Sequence, residues 1–559
     1  MKNIFILFVV LSFVPLASCS KFLDQKAYGV LTEDDLTTVE QIENSVISAY
    51  AGIGNDEINR PLSLWGYGNV RADDAYKGGA DENDNDLLHW LEICSPSVGN
   101  VGMWYNDVFW YRNYIVISRI NSALRALDNV SEGQMPLKTT RIAEMRFLRG
   151  HIHFIQKIIF KHIPFITEDM SPDDISNESN VALSSDSVWL KIAEDFEFAY
   201  NNLPVVQPEI GRANKYAAAA YLAKTYLYKA YRQDDMHNVT SIDMGELQKV
   251  IDLADEVIAS PYRLENDFAF NFLPGQYENG PEALFSVQYS MDDGTTYGRL
   301  NMGCALTTPT PGGDFNKPSQ DLVNAFKTVG GLPDFDNYST ADLSETDKVD
   351  PRLFHTVAIP GKPYKYTDVN FEANQTRNHT MYGLYSSLKE NVDPASPFYV
   401  KTGPWYANSK NWIVLRYADV LLMKAEALIE TGRHNEALPL INQIRSRAQF
   451  STQFIAFAAG NLAITTYQDG TNCNWTEDFA RKALRWERRL EMAMEGCRFF
   501  DLVRWGIADQ VMNMYYANEK DAHTYYRNAY FEKNKFEYCA IPVEQINWSK
   551  GLYKQNFGY

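Results

Sequence analysis

Two stretches of the chain gather side chains that can hold a flat, hydroxylated ring. The first contains Trp65, Tyr67, Asn69, Arg71, Asp73, Asp74, Trp90 and Trp104, with Tyr76 and Tyr105 among them. The second contains Tyr289, Tyr297, Arg299, Trp405 and Tyr406, with Asp292, Asp293, Tyr382, Tyr385 and Trp412 interspersed. An indole or phenol face buries the apolar C–H face of a pyranose or furanose. Carboxylates, amides and guanidinium groups then orient the hydroxyls and supply selectivity. The expected chemistry is noncovalent capture of a neutral sugar. For any single Trp a core or loop-anchoring role is the commoner one; the clustering is what makes these residues ligand-binding candidates.

Bond-breaking chemistry finds no comparable constellation. The chain has no H-E-x-x-H, no G-x-S-x-G and no G-x-x-x-x-G-K-[ST] phosphate loop. His151 and His153 are two apart, which on a helix separates them by about 200° and stops them from gripping one metal. One packed and one exposed histidine are expected. With 71 acidic residues, some pair of carboxylates will always approach, so no glycosidase pair can be singled out. In Asp81-Glu-Asn-Asp-Asn-Asp86, the residues Asn83, Asn85 and Glu92 fall at the third, fifth and twelfth places of a calcium loop. Asp86, however, stands at the sixth place, where the sharp turn requires Gly. A solvated acidic loop near the ligand mouth is expected there. No catalytic residue, metal site or cofactor is assigned.

These groups need a frame. The chain has 559 residues, 45% of them apolar, 22% charged and 13% aromatic, with a formal net charge of −19. It has material for a large core, and its acidity argues against nucleic acid and anionic lipid as partners. Apolar residues recur at helical spacing over 104–127 and 139–160. Further helices are expected at 35–52, 186–202, 215–231, 246–259, 412–431, 434–448, 477–495 and 498–508. They come in pairs, as in 34-residue tetratricopeptide repeats. The clearest unit runs from Ala418 to Ser451, and a second begins at Lys215 with the run Ala217–Ala220. Between 262 and 411 Gly and Pro are frequent and the periodicity fades, apart from a possible strand at Ala283–Tyr289. The expected fold is mainly α, a tetratricopeptide-like helical-repeat scaffold carrying an irregular, loop-rich ligand-binding region.

Residues 1–18 read as a signal peptide, with Lys2, an apolar run from Ile4 to Val14 and the small residues Ala17 and Ser18 before Cys19. Leu-Ala-Ser-Cys is similar to a bacterial lipoprotein box, which makes Cys19 the expected site of lipid attachment. Cys94, Cys304, Cys473, Cys497 and Cys539 form no C-x-x-C pair, and a chain of this length needs no disulfide framework.

Several pieces, in order, resemble one family. They are Cys19-Ser-Lys-Phe-Leu-Asp24, Ala143-Glu-Met-Arg-Phe-Leu-Arg149, Ile163-Pro-Phe165, Gly211-Arg-Ala-Asn-Lys-Tyr216 and Pro281-Glu-Ala-Leu-Phe-Ser-Val-Gln288. Further on stand Leu415-Arg-Tyr-Ala-Asp-Val-Leu-Leu-Met-Lys-Ala-Glu426, Glu487-Arg-Arg-Leu-Glu491, Arg498-Phe-Phe-Asp-Leu-Val-Arg-Trp505 and Gln555-Asn-Phe-Gly-Tyr559. The chain resembles the RagB/SusD family of outer-membrane nutrient-binding lipoproteins over nearly its whole length. The resemblance implies a SusD-like fold: a signal peptide (1–18), an N-terminal helical part (19–261), a loop-rich region (262–411) and a C-terminal part (412–559). It also implies a lipid-anchored protein on the outer face of the cell outer membrane, without catalytic activity. Such a protein captures oligosaccharide or polysaccharide and delivers it to a SusC-like TonB-dependent transporter. Peptide binding on the same architecture and, from another class, glycoside hydrolysis are the alternatives.

Overall fold

The computed structural model describes residues 36, 38–54, 64–94, 104–291, 294, 300–301, 304–402 and 405–559, without the side chains of Trp104, Thr402 and Trp405. The expected signal peptide and Cys19 lie outside these residues.

The longer helices of the first half are α1 (Val39–Gly54), α2 (Asp86–Glu92), α3 (Trp104–Asp128), α4 (Lys138–Phe160), α5 (Ser185–Asn202), α6 (Lys215–Ala230) and α7 (Met244–Ile258). Polar caps fix where the later ones start. Ser184, Asn214 and Asp243 each accept from backbone N–H groups in the first turn of α5, α6 and α7. From α3 to α7 each helix packs on the next, and α1 packs on α3, the nearest-neighbour logic of a helical repeat. Close crossings use small residues. Ala217 to Ala220 of α6 are wholly buried, and a Cβ on Gly150 of α4 would stand 3.0 Å from the Phe196 ring of α5.

The second half adds α8 (Tyr417–Glu430), α9 (His434–Phe450), α10 (Glu477–Glu491), α11 (Arg498–Arg504) and α12 (Ala508–Glu519). The α8–α9 pair coincides with the repeat expected at Ala418–Ser451, and α8 also packs on α7, so both halves share one scaffold. The fold is mainly α and tetratricopeptide-like.

Short antiparallel ladders supply the rest: β1 (Ala75–Gly78), β2 (Ala283–Val287), β3 (Phe315–Pro318), β4 (Tyr399–Thr402), β5 (Trp405–Asn408) and β6 (Trp412–Arg416). β1 pairs with β3, β4 with β5 and β2 with β6. The last pairing corrects one expectation. Residues 412–416 do not begin the helix expected at 412–431 but form a strand, with Trp412 opposite Val287 and Arg416 opposite Ala283.

Where β2, β6 and α10 meet, a buried ion network crosses the core. Arg416 reaches Glu282 at 2.8 Å and Glu491 at 2.6 Å, Arg352 reaches Glu487 at 2.6 Å and Glu491 at 3.0 Å, and Arg447 also pairs with Glu491. Burial alone would raise the Glu491 carboxyl, but the surrounding Arg447, Arg416 and Arg352 hold it well below the usual range.

The last stretch of chain returns to α4. Cys539 N–H donates to the Ile159 carbonyl at 2.8 Å, and Asn556 Nδ2 donates to the Phe160 carbonyl at 2.9 Å. The five described cysteines are free thiols. Among the described residues no helix is long and apolar enough to cross a membrane.

Candidate ligand-binding face

The first aromatic cluster folds inward. Trp65 is 1% exposed, and Tyr67, Asn69, Arg71, Asp73 and Asp74 are also buried. One helical turn, Gly66–Val70, leads into β1 and is pressed against the segment before α11. A Cβ on Gly68 would lie 2.0 Å from the Gly496 carbonyl oxygen, so only glycine permits this approach. Asn69 Oδ1 accepts from Gly496 N–H at 2.8 Å, and Tyr67 OH donates to Asn106 Oδ1 at 2.8 Å. Arg71 donates to the Phe536 and Tyr538 carbonyls at 2.6 and 3.1 Å. Asp73 pairs with Arg498 at 2.8 Å and Asp74 with Arg489 at 2.9 Å. The expectation that Tyr67, Asn69, Arg71, Asp73 and Asp74 touch ligand is therefore corrected. Apart from Asp74 Oδ2, their side-chain polar groups bond to the protein itself.

Electrostatics separates the two neighbouring acids. Burial would raise Asp73, but Arg489 and Arg498 hold it below the carboxylate range. Asp74, with Oδ2 unpartnered, is pushed up to about 6 by burial, against the pull of Arg489 and with the push of Asp73.

Trp90, on α2, stays half-buried beside the acidic loop. That loop carries its own cation: Lys77 Nζ donates to the Asp81 and Asp84 carbonyls, each at 2.6 Å. His151 and His153 are 1% and 0% exposed, so the expected exposed partner is corrected. His151 Nδ1 lies 2.7 Å from Tyr221 OH, and His153 stacks on Phe165 at 4.1 Å.

From the second cluster, Tyr406, Tyr385 and Trp412 stay half-buried while Tyr289 is buried. In the β4–β5 hairpin, Val400 and Ala407 lie over a small apolar cluster of Leu300, Cys304 and Ala305. Register places Tyr399 and Tyr406 together on the opposite side as diagonal neighbours. Their rings stack 5.1 Å apart with planes at 14°, and both are half-buried. Tyr297, Arg299 and the side chains of Trp104 and Trp405 lie outside the described residues. Tyr382 is fully buried and Tyr385 half-buried.

Three clefts run side by side along the β2–β6 ladder, sharing lining residues such as Ser286, Lys410 and Ile413. The largest holds about 260 Å³ between α1 and β2, with Tyr50, Arg212, Gln288 and Tyr289 in its walls. Tyr289 is 8% exposed there. A second, about 60 Å³, lies under half-buried Trp412, with Trp65, Glu390 and Lys410 lining it. Amides hold the third in place: Asn411 Nδ2 donates to Gln288 Oε1 at 2.8 Å, and Gln288 and Asn279 exchange bonds at 2.8 and 2.9 Å. Burial, opposed by nearby Lys410, pushes the Glu390 carboxyl up to about 7. Tyr50, Gln288, Glu390, Tyr399 and Lys410 are thus the members of this face that the aromatic clusters alone did not single out. The polar run Asn408-Ser-Lys-Asn411 before an apolar strand is the signal that could have found Lys410.

Among the described residues no group of His, Cys, Asp and Glu is arranged to hold a metal ion. The face offers stacking rings, amides and mixed charges, which suits binding.

Comparison with known proteins places this architecture. Residues 281–559 match the family described as the SusD family, and residues 21–227 match one described as starch-binding associating with outer membrane. SusD-like protein P2 of Formosa agariphila is 24% identical over 523 residues, 91% of this chain and 92% of its own. A solved SusD homologue from Bacteroides thetaiotaomicron superposes with a TM-score of 0.70 at 20% identity, over 93% of this chain and 97% of its own. Surface glycan-binding protein A of the same species, in complex with laminarihexaose, gives a TM-score of 0.67 at 19% identity, over 93% and 100%. With both halves matched and the helical frame shared, the chain belongs to the SusD family.

Proposed function

We propose that this protein is a non-catalytic glycan-binding protein that takes oligosaccharide onto the face formed by the β4–β5 hairpin and the β2–β6 ladder. The observation that carries the reading is the stacked Tyr399–Tyr406 pair, two phenol faces presented by a hairpin beside clefts walled with amides and charges. Aromatic faces meet the C–H face of a sugar and the polar walls select its hydroxyls. Half-buried Trp412 adds an aromatic wall to one of these clefts. Anchored through Cys19 at the outer membrane, with its ligand side outward, the protein hands glycan to a SusC-like TonB-dependent transporter without breaking a bond.

Calorimetric titration with laminarihexaose first, then other neutral oligosaccharides and mixed peptides, tests this. Binding of at least one glycan is expected, with affinity about tenfold weaker in Tyr406→Ala, in line with the roughly 1–3 kcal/mol that stacking on an aromatic ring contributes. Binding of peptides and no glycan, or release of shortened sugars from a purified sample, would overturn it. Co-purification of a TonB-dependent barrel with the native protein, lost from the membrane fraction in Cys19→Ser, is the expected result for anchoring and delivery.

A further inference from the structure

The cleft under Trp412 contains two unmade hydrogen bonds of opposite kind. Among the described residues the Trp65 indole Nε1–H, on a residue 1% exposed, has no acceptor, and the buried Glu390 Oε2 has no donor. Both residues line the same space of about 60 Å³. A further polar group, Lys410 Nζ, reaches the Asn411 carbonyl at 3.4 Å. Leu64, Phe272, Ile413 and Met494 give the cleft its apolar wall, and Asn271 lines it together with Lys389 and Glu495, which pair with each other at 2.7 Å. Buried polar groups are costly when left unmade, and with Glu390 ionised a partner that accepts from the indole and donates to the carboxylate satisfies both.

That double requirement selects the chemistry. A carboxylate, sulfate or carbonyl only accepts, leaving Glu390 unmade and, if charged, repelling it. An ammonium only donates, leaving Trp65 unmade and facing Lys410. A hydroxyl does both, and a methylene beside it suits the apolar walls. We infer that the cleft is a socket for the primary hydroxymethyl group of a bound sugar, whose ring lies against Trp412 at the mouth. This rests on the glycan-binding reading and names which hydroxyl the protein inspects. A single water could make the same two bonds and is the rival occupant.

Selective ¹⁵N labelling of tryptophan in the full chain, with Trp65→Phe identifying the Trp65 indole signal, gives a direct readout. Methyl β-glucoside is expected to shift that signal saturably, methyl 6-deoxy-β-glucoside is not, and Glu390→Gln should weaken the response about tenfold. An equal response to both glucosides, or none to either, would leave only water in the cleft and overturn the socket. The two readings fail separately. If laminarihexaose binds the parent, Trp65→Phe and Glu390→Gln equally while Tyr406→Ala loses it, glycan capture stands and the socket falls. If no oligosaccharide binds but the glucoside still shifts the Trp65 signal, the socket stands and glycan capture falls.

Discussion

Arg489 shows how a ligand-like set of residues becomes internal wiring. It reaches Asp73 at 3.1 Å, Asp74 at 2.9 Å and Asp321 at 2.7 Å, all of them buried. The local sequence Asn69–Tyr76 carries the polar and aromatic types a sugar site needs, but its partners stand between 244 and 468 positions away, where spacing cannot reveal them. Tyr406 differs in that its stacking partner Tyr399 lies only seven positions away, across a hairpin. Replacing Arg489 by Met would leave three carboxylates without their shared cation. A loss of about 3–5 kcal/mol, the usual result of breaking a buried pair from one side, is expected in urea unfolding. The conservative Arg489→Lys should recover only part of it, because an ammonium cannot span the fork.

At the level of elements, the long amphipathic helices were readable because a 3.6-residue period repeats over several turns. β6 was not, since five residues hold too little period to separate strand from helix, and its partner β2 lies far earlier in the chain. Trp412-Ile-Val-Leu-Arg416 is nonetheless rich in the aromatic and β-branched types that favour strands. The Ala217–Ala220 run was legible as a close crossing, and it makes a sharp test. Ala219→Leu in α6, at a fully buried position, should overpack the helix layer and lower stability by about 1–3 kcal/mol. A matched drop in the urea midpoint with an unchanged slope is the expected signature. An unchanged midpoint would mean that the crossing has room to spare.

The whole molecule should be sensitive to acid. Burial pushes His151, His153 and His237 down to about 3, and His162 and His355 down to about 4, whereas an unfolded histidine titrates near 6.5. The unfolded chain therefore binds more protons below about 6.5, so the stability held by these neutral imidazoles is complete above that pH and drains away as pH falls toward 3 to 4. The melting temperature is expected to fall steadily between pH 6.5 and 4. His153→Phe, which keeps the stack on Phe165, should lessen the slope, and a parallel slope would count against this origin. Asp74, Glu390 and Glu519, pushed up to about 6, 7 and 7 chiefly by burial, act in the opposite direction. Their folded forms hold protons that the unfolded chain has lost, so they favour the fold as pH falls through 7.

The return of residues 539–556 to α4 also sets a timetable. Ile159 and Phe160 cannot make these bonds until nearly 400 further residues have been added, and Arg352, Arg416 and Arg447 likewise wait for Glu491, up to 139 residues later. A growing chain therefore carries an open first half through most of its synthesis. Contacts this far apart in sequence make final closure slow relative to helix formation, leaving a long interval in which the two halves have yet to be tied together.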